Sequence, residues 1–441
     1  MSYYTKNKTS EFIAQLSRLQ FMCGLTYVWV DNNKSRFFVY FNKVATILLY
    51  SFILSEIASL FTQTQLSEKQ ASDQILFVIS HPVLMSYSLS CVYYGEDIKK
   101  LLFKLSVDLK GRYNDLEIEN EMIRKAKLYS VLYVMTLSAA LFFYAFDAVS
   151  QVIRTGMFNL NLSLCLHKNV FNHYLLVIDG TFTTIIMAWP DVKEKGFLPD
   201  VVRVGAYLIW WIFMIRASAV YVFVITLTIV LSHQYKNLQS YFYNLEEVFI
   251  TNNESRDEKE KEYESGLKIG IALHAETMWC VKECQRICSW VFSGQITINI
   301  TVFCMLMLQM VNSERTLVNA LATLSTSLSL LVSTGFFMCN AGDVTVEASI
   351  LPTAIFFSGW HHCRGKSSIR VRKLITFAIA QSQKPIAMRS FNVIELSYRS
   401  YVSVRHWYLV RYKFQHKFFK KSSQILRQVG NRSFSQLRNT Q

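Results

Sequence analysis

Few residue groups in this chain have the types and spacing for chemistry. Cys280, Cys284 and Cys288 recur every four residues downstream of His274. Three thiolates and an imidazole would suit zinc, but such ligand sets need a turn between ligands, and steps of four lie along one continuous helix face. Cysteine is also a small hydrophobe that is commonly buried, so the spacing predicts a core stripe and no metal. His361-His362-Cys363 sits in a basic turn with no acidic partner nearby in sequence, and it too is read without a metal. No GxSxG elbow, GxxxxGKS loop or HExxH helix occurs, so nothing indicates an enzyme or a cofactor. The run from Asp257 to Glu264 alternates with Lys259 and Lys261, as a solvated surface does.

Two other groups point to binding. Leu141, Tyr144 and Ala148 share one helix face, Tyr207, Trp210, Trp211 and Met214 make a second, and Thr323 and Ser327 a third. Broad apolar rings with a few polar tips suit a volatile organic ligand, although aromatics near a helix end equally suit an interfacial belt. Arg216 lies within an apolar run, where a charge costs about 2.5–3.5 kcal/mol. It needs either a partner such as Asp147 or a water-filled inner vestibule.

The elements that carry these residues are set by composition. Of 441 residues, 51% are hydrophobic and 17% charged, against about 25% charged in soluble domains. Mean hydropathy is +0.21. A disordered chain or a coiled-coil rod is excluded. The net charge of +15 is spread in short clusters between apolar runs, not in one stripe, so no nucleic-acid partner is expected. The nine cysteines include no CxxC pair, which argues against a disulfide scaffold. Residues 1–36 are polar and mildly basic, as an uncleaved cytoplasmic amino terminus would be.

Six apolar runs approach the ~20 residues needed to cross hydrocarbon: 37–61, 74–94, 128–149, 204–231, 290–311 and 317–339. A seventh, 391–412, is weaker because Arg399, Arg405, His406 and Arg411 interrupt it. The fold class is all-α, a polytopic membrane helical bundle in which only helices satisfy their own backbone in lipid. Lys and Arg concentrate at the amino terminus and in alternate connections, placing the amino terminus in the cytoplasm. On the same rule 174–189 is an outer loop, not a span, and Asn161, in Asn161-Leu162-Ser163, is the sequon exposed to glycosylation. Asn7 and Asn253 fall on the cytoplasmic side and Asn299 within a span.

One membrane domain of 1–441 divides into a cytoplasmic amino terminus (1–36), four spans with the ligand pocket (37–231), a cytoplasmic helical anchor (232–290), spans five and six (291–339), a cytoplasmic helix with the last span (340–412) and a basic tail (413–441). In the anchor, Tyr235, Leu238, Phe242, Leu245 and Phe249 recur at steps of three and four, as do Leu267, Ile271, His274, Met278, Val281 and Cys288. The fourth and fifth spans are therefore expected to continue past the membrane and pack on each other.

The stretch HQYKNLQSYFYNLEEVF after the fourth span resembles insect odorant receptors. So do GLKIGIALHAETMWCVKECQRICSWVFSGQITINITVFC, EASILPTAIFFSGWHHC and RKLITFAIAQSQKPIAM, in the same order. His274, Phe292, the stretch from Ala354 to Trp360 and the turn Ser382-Gln383-Lys384-Pro385 carry the pattern. The resemblance spans about His233 to Ser397. It implies a seven-span subunit of an odorant-gated cation channel in the plasma membrane of sensory neurons, assembled as a tetramer with a shared coreceptor. It further implies an odorant pocket in the outer half of the helices, a lipid surround, and a last helix lining the pore, here with Ser400, Val404 and Tyr408.

After Glu395-Leu396-Ser397 the chain departs from that pattern, with RHWYLVRYKFQHKFFKKSSQILRQ and a basic tail. The charge rule predicts that this end inserts poorly and that the tail stays cytoplasmic. A gustatory receptor is the nearest alternative, but its Thr-Tyr and Gln-Phe final-span signature is missing. A solute transporter would show internal repeats and broken midplane helices, and neither is visible.

Overall fold

The computed structural model describes residues 4–31, 35–63, 66, 68–157, 189, 191, 194, 197–251, 255–312, 317–365 and 367–403. Side chains at 68, 69, 143–157, 197, 200, 251, 307–312, 317–320, 322 and 323 also lie outside the description.

The described residues are almost entirely helical. A short α1 (Lys8–Met22) starts at Asn7, whose side chain accepts from Ser10 N while Ser10 returns the bond to the Asn7 amide. Then come α2 (Arg36–Thr62), α3 (Glu68–Tyr93) and α4 (Gly95–Phe103), and a π turn (Lys104–Asp108) leads into α5 (Leu109–Arg112). The long helices are α6 (Leu116–Met157), α7 (Phe197–Asn244), α9 (Arg256–Asn312) and α10 (Leu317–Phe356), with the one-turn α8 (Glu247–Thr251) between α7 and α9. After α10 come α11 (Ser368–Ser382) and a hairpin of β1 (Arg389–Ser390) and β2 (Ile394–Glu395).

The first six predicted spans fall on helices, with their length as the main difference. The 27 residues of α2 fit one crossing, whereas α7 has 48, α9 has 57 and α10 has 40. By length and composition, 36–62, 70–93, 201–250, 256–306 and 324–362 can each cross a membrane. The lipid-facing surface is explicit on α2, where Phe37 is 70% exposed, Ile47 66% and Phe61 85%. Such a stripe of exposed apolar side chains is stable only against hydrocarbon or another protein.

α10 packs along α7 and α6, and α9 along α3 and α7. The seventh run needs correction. Residues 391–395 form the turn and second strand of the hairpin, with Phe391 and Asn392 at positive φ, and helix resumes only at Tyr398. That helical start docks on α10 at two glycines: a Cβ on Gly342 would lie 3.3 Å from Tyr398 Cδ2 and one on Gly335 3.2 Å from the Tyr401 ring. Tyr398 also donates to Asp343, which Lys125 pairs at 2.6 Å.

Candidate functional site

The continuation of α7 and α9 beyond the membrane runs is as the periodicity predicts. Tyr235, Leu238, Phe242 and Leu245 are buried, as are Leu267, His274, Val281 and the stripe Cys280, Cys284 and Cys288. The helices meet where α9 carries Gly266 and Gly270: a Cβ on the first would sit 2.6 Å from Leu245 Cδ1, and on the second 2.7 Å from Phe242 Cε1. Tyr241 closes the contact by donating to the Gly266 carbonyl at 2.7 Å.

Carboxylates around this anchor are paired. Glu260, 1% exposed, accepts from the Arg364 and Gly365 amides, each at 2.7 Å. Glu264 holds Lys268 at 2.8 Å and Arg370 at 3.0 Å, and hydrogen bonds from Arg370 and Lys268 keep its carboxyl below the usual range. Burial pushes Glu119 up, but hydrogen bonds from Thr9 and Asn114 outweigh it and the net shift is downward. At the turn after α10, the acidic partner invisible in sequence is Glu246, whose Oε1 lies 3.2 Å from His362 Nε2, with His361 beside them.

Toward the other end of the bundle, α2, α3 and α7 bring together an aromatic cluster. Trp210, 1% exposed, stacks on Tyr207 at 5.9 Å, meets Trp211 at 5.4 Å and faces the Phe77 edge at 6.5 Å. Tyr207, Trp211 and Met214 are half-buried against the same core, as is Leu141 on α6. Ser327 is half-buried on α10. The side chains of Tyr144, Ala148, Thr323 and Asp147, and residues Asn161, Val404 and Tyr408, lie outside the described residues, as does nearly all of the 174–189 loop. Ser400 is half-buried and 3.1 Å from Ser397 Oγ.

Sequence reasoning missed the polar heart of the cluster. Glu56 of α2 and His81 of α3 are 1% and 0% exposed, with His81 Nδ1 2.8 Å from both carboxylate oxygens. Phe77 stacks on the imidazole at 4.9 Å, Phe213 meets it edge-on at 4.9 Å and Phe52 lies at 5.9 Å. Below Glu56, Ser59 donates to its carbonyl at 2.5 Å and receives Gln74 Nε2 at 2.9 Å. Pro82 follows His81 inside α3 and removes one backbone donor there. The signal was present: an ionisable residue inside an apolar run is by default a functional one, with its partner to be sought on a neighbouring span.

Arg216 is buried, and its partners among the described residues come from α2. Its guanidinium donates to Thr46 Oγ1 at 3.0 Å and the Asn42 carbonyl at 3.5 Å, and lies on Gly24, where a Cβ would come within 2.7 Å of Nε. Gly24 has φ +96, so both its conformation and the guanidinium exclude a side chain. Asn299, predicted to lie in a span, is buried in α9 and bridges Gln295 and Thr334.

Long apolar helices around a buried aromatic cluster define a multi-pass membrane protein. Residues 201–406, just under half of the chain, match the family model for the 7tm Odorant receptor. By fold it is similar to the insect olfactory receptor OR5 from Machilis hrabei in complex with eugenol, at a TM-score of 0.68 and 12% identity over 92% of this chain and 98% of that one. It is also similar to the OR5 structure described without eugenol, at a TM-score of 0.67, 12% identity, and 92% and 97% coverage. No curated protein matches the chain by sequence.

Proposed function

We propose that the chain is the odorant-binding subunit of an odorant-gated cation channel, assembled as a tetramer with a shared coreceptor in the plasma membrane of sensory neurons. The observation that carries this reading is the buried cluster of Trp210, Tyr207, Phe77 and Phe213 in a fold similar to a receptor that binds eugenol. Rings on three helices offer a small apolar molecule contact from several sides. Leu141, Tyr144, Ala148, Tyr207, Trp210, Trp211, Met214, Thr323 and Ser327 are the residues assigned to ligand contact.

The amino terminus and the α7–α9 anchor face the cytoplasm. The helix that starts at Tyr398 is the pore segment, with Ser400, Val404 and Tyr408 toward the conduction path. The glycine seats for Tyr398 and Tyr401 support it as a packed helix, while Arg399 and the basic residues beyond it oppose full insertion by this chain alone. The coreceptor is therefore expected to supply most of the conducting wall.

Electrophysiology on cells expressing this chain with and without the coreceptor tests the proposal. Odorant-evoked cation current is expected only with both. Current from the chain alone would overturn the division of labour, and substrate uptake without current would favour a transporter.

A further inference from the structure

Two buried polar atoms in the aromatic cluster have no hydrogen-bond partner among the described residues: Nε2 of His81 and Nε1 of Trp210. The two rings are 0% and 1% exposed, and both lie against Phe77. Orphaned buried groups of this kind keep their desolvation cost until a partner arrives, so they mark where a polar atom is wanted.

We infer that His81 Nε2 is the polar anchor of the ligand chamber and that the receptor's odorants are small uncharged alcohols or phenols. The inference rests on the chamber being the odorant site. His81 Nδ1 is committed to Glu56, so Nε2 is a bare acceptor when the imidazole is neutral and a donor when it is charged. The Trp210 indole is a donor only. A hydroxyl is the small group that serves either state: it donates to a bare Nε2, or accepts from Nε2–H. A carbonyl serves only a charged imidazole, and a hydrocarbon serves neither. A carboxylate ligand would be brought close to the Glu56 carboxylate, whose charge repels it. The hydrocarbon body of the alcohol then lies on Phe77, Phe213 and Trp210.

The test uses the full chain with its coreceptor and matched probes on one skeleton: benzyl alcohol, benzyl methyl ether and toluene, and 1-octanol, heptyl methyl ether and octane. Current is read against concentration, and thermal stabilisation of the purified complex by the same probes is read separately. Wild type is expected to respond to the alcohol at about tenfold lower concentration than to the ether or hydrocarbon. His81→Phe keeps an aromatic ring at the position and should abolish that preference. His81→Leu, a second variant with no polar side-chain atom, covers the case in which His81→Phe fails to reach the surface.

Absence of alcohol preference in wild type, or a preference that survives both His81 variants, would overturn the anchor; a resident water on Nε2 would give that result. Alcohol-specific stabilisation without current would keep the anchor and overturn the channel proposal, whereas current without alcohol preference would do the reverse.

Discussion

Glu260 and Glu56 are equally buried, yet their surroundings differ in kind. Glu260 receives two backbone amides from the turn after α10, and its neighbour Glu264 holds two cations. Glu56 faces a single imidazole whose far nitrogen is unpaired and whose walls are phenyl rings. Packing differs in the same sense. In the anchor, Gly266 and Gly270 admit Leu245 and Phe242 so closely that no side chain fits, while in the chamber rings meet rings at centroid distances of 4.9–6.5 Å. Interlocked small-to-large packing specifies one geometry.

The largest effect expected from this contrast is at the anchor. Gly270→Leu drives a branched side chain into Phe242 and Tyr241, at about 1–3 kcal/mol or more for overpacking. Little protein should reach the surface, and size exclusion should lose its monodisperse peak. Normal assembly of this variant would show that the anchor is as adaptable as the chamber and remove the distinction.

A second measurement asks whether the two regions lie on opposite sides of the membrane. Glycosidase treatment should shift the wild-type band and leave Asn161→Gln unmoved, and an epitope after Gln441 should stain only after permeabilisation. A shift that depended instead on Asn253, next to the anchor, would invert the orientation. Staining of intact cells would mean that the segment from Tyr398 crosses fully despite Arg399 and Arg405.

The helices of both regions were legible in sequence because each depends on local pattern. Six long apolar runs and the three-and-four spacing of Tyr235, Leu238 and Phe242 are one-dimensional signals. The partnerships were not. Glu246 is 116 residues from His362, and Glu56 is 25 residues from His81 on a different helix. Spacing along a chain says nothing about which faces meet across helices. The hairpin was missed for another reason: 391–395 is apolar enough to pass as the start of a span, and its turn rests on Phe391 and Asn392 at positive φ, for which no glycine gives warning.

A smaller effect belongs to the chamber wall. Tyr207 is half-buried and stacked on Trp210, so its truncation opens toward the surface and leaves assembly intact. Tyr207→Ala should raise the concentration for half-maximal current by about tenfold, the loss of one good aromatic contact. Loss of surface protein instead would mean that the ring is structural, and the chamber would then resemble the anchor.

The effect confined to acid conditions is a pH slope in the anchor. Burial lowers His274 to about 4, well below the ordinary histidine value, and its Nε2 has no partner. The imidazole is therefore neutral in the folded protein across the physiological range. Above about pH 7 the unfolded chain also leaves it neutral, so His274 contributes nothing to pH dependence there. As pH falls from about 6.5 toward 4, the unfolded chain takes up a proton that the folded site refuses, and the folded state loses stability at up to about 1.4 kcal/mol per pH unit. His274→Phe should flatten the acid limb of the melting temperature between pH 7 and 5 while leaving values at pH 7–8 parallel to wild type. If both proteins fall with the same slope, the histidine is hydrated in the folded state, and the α7–α9 contact is looser at that position than its burial indicates.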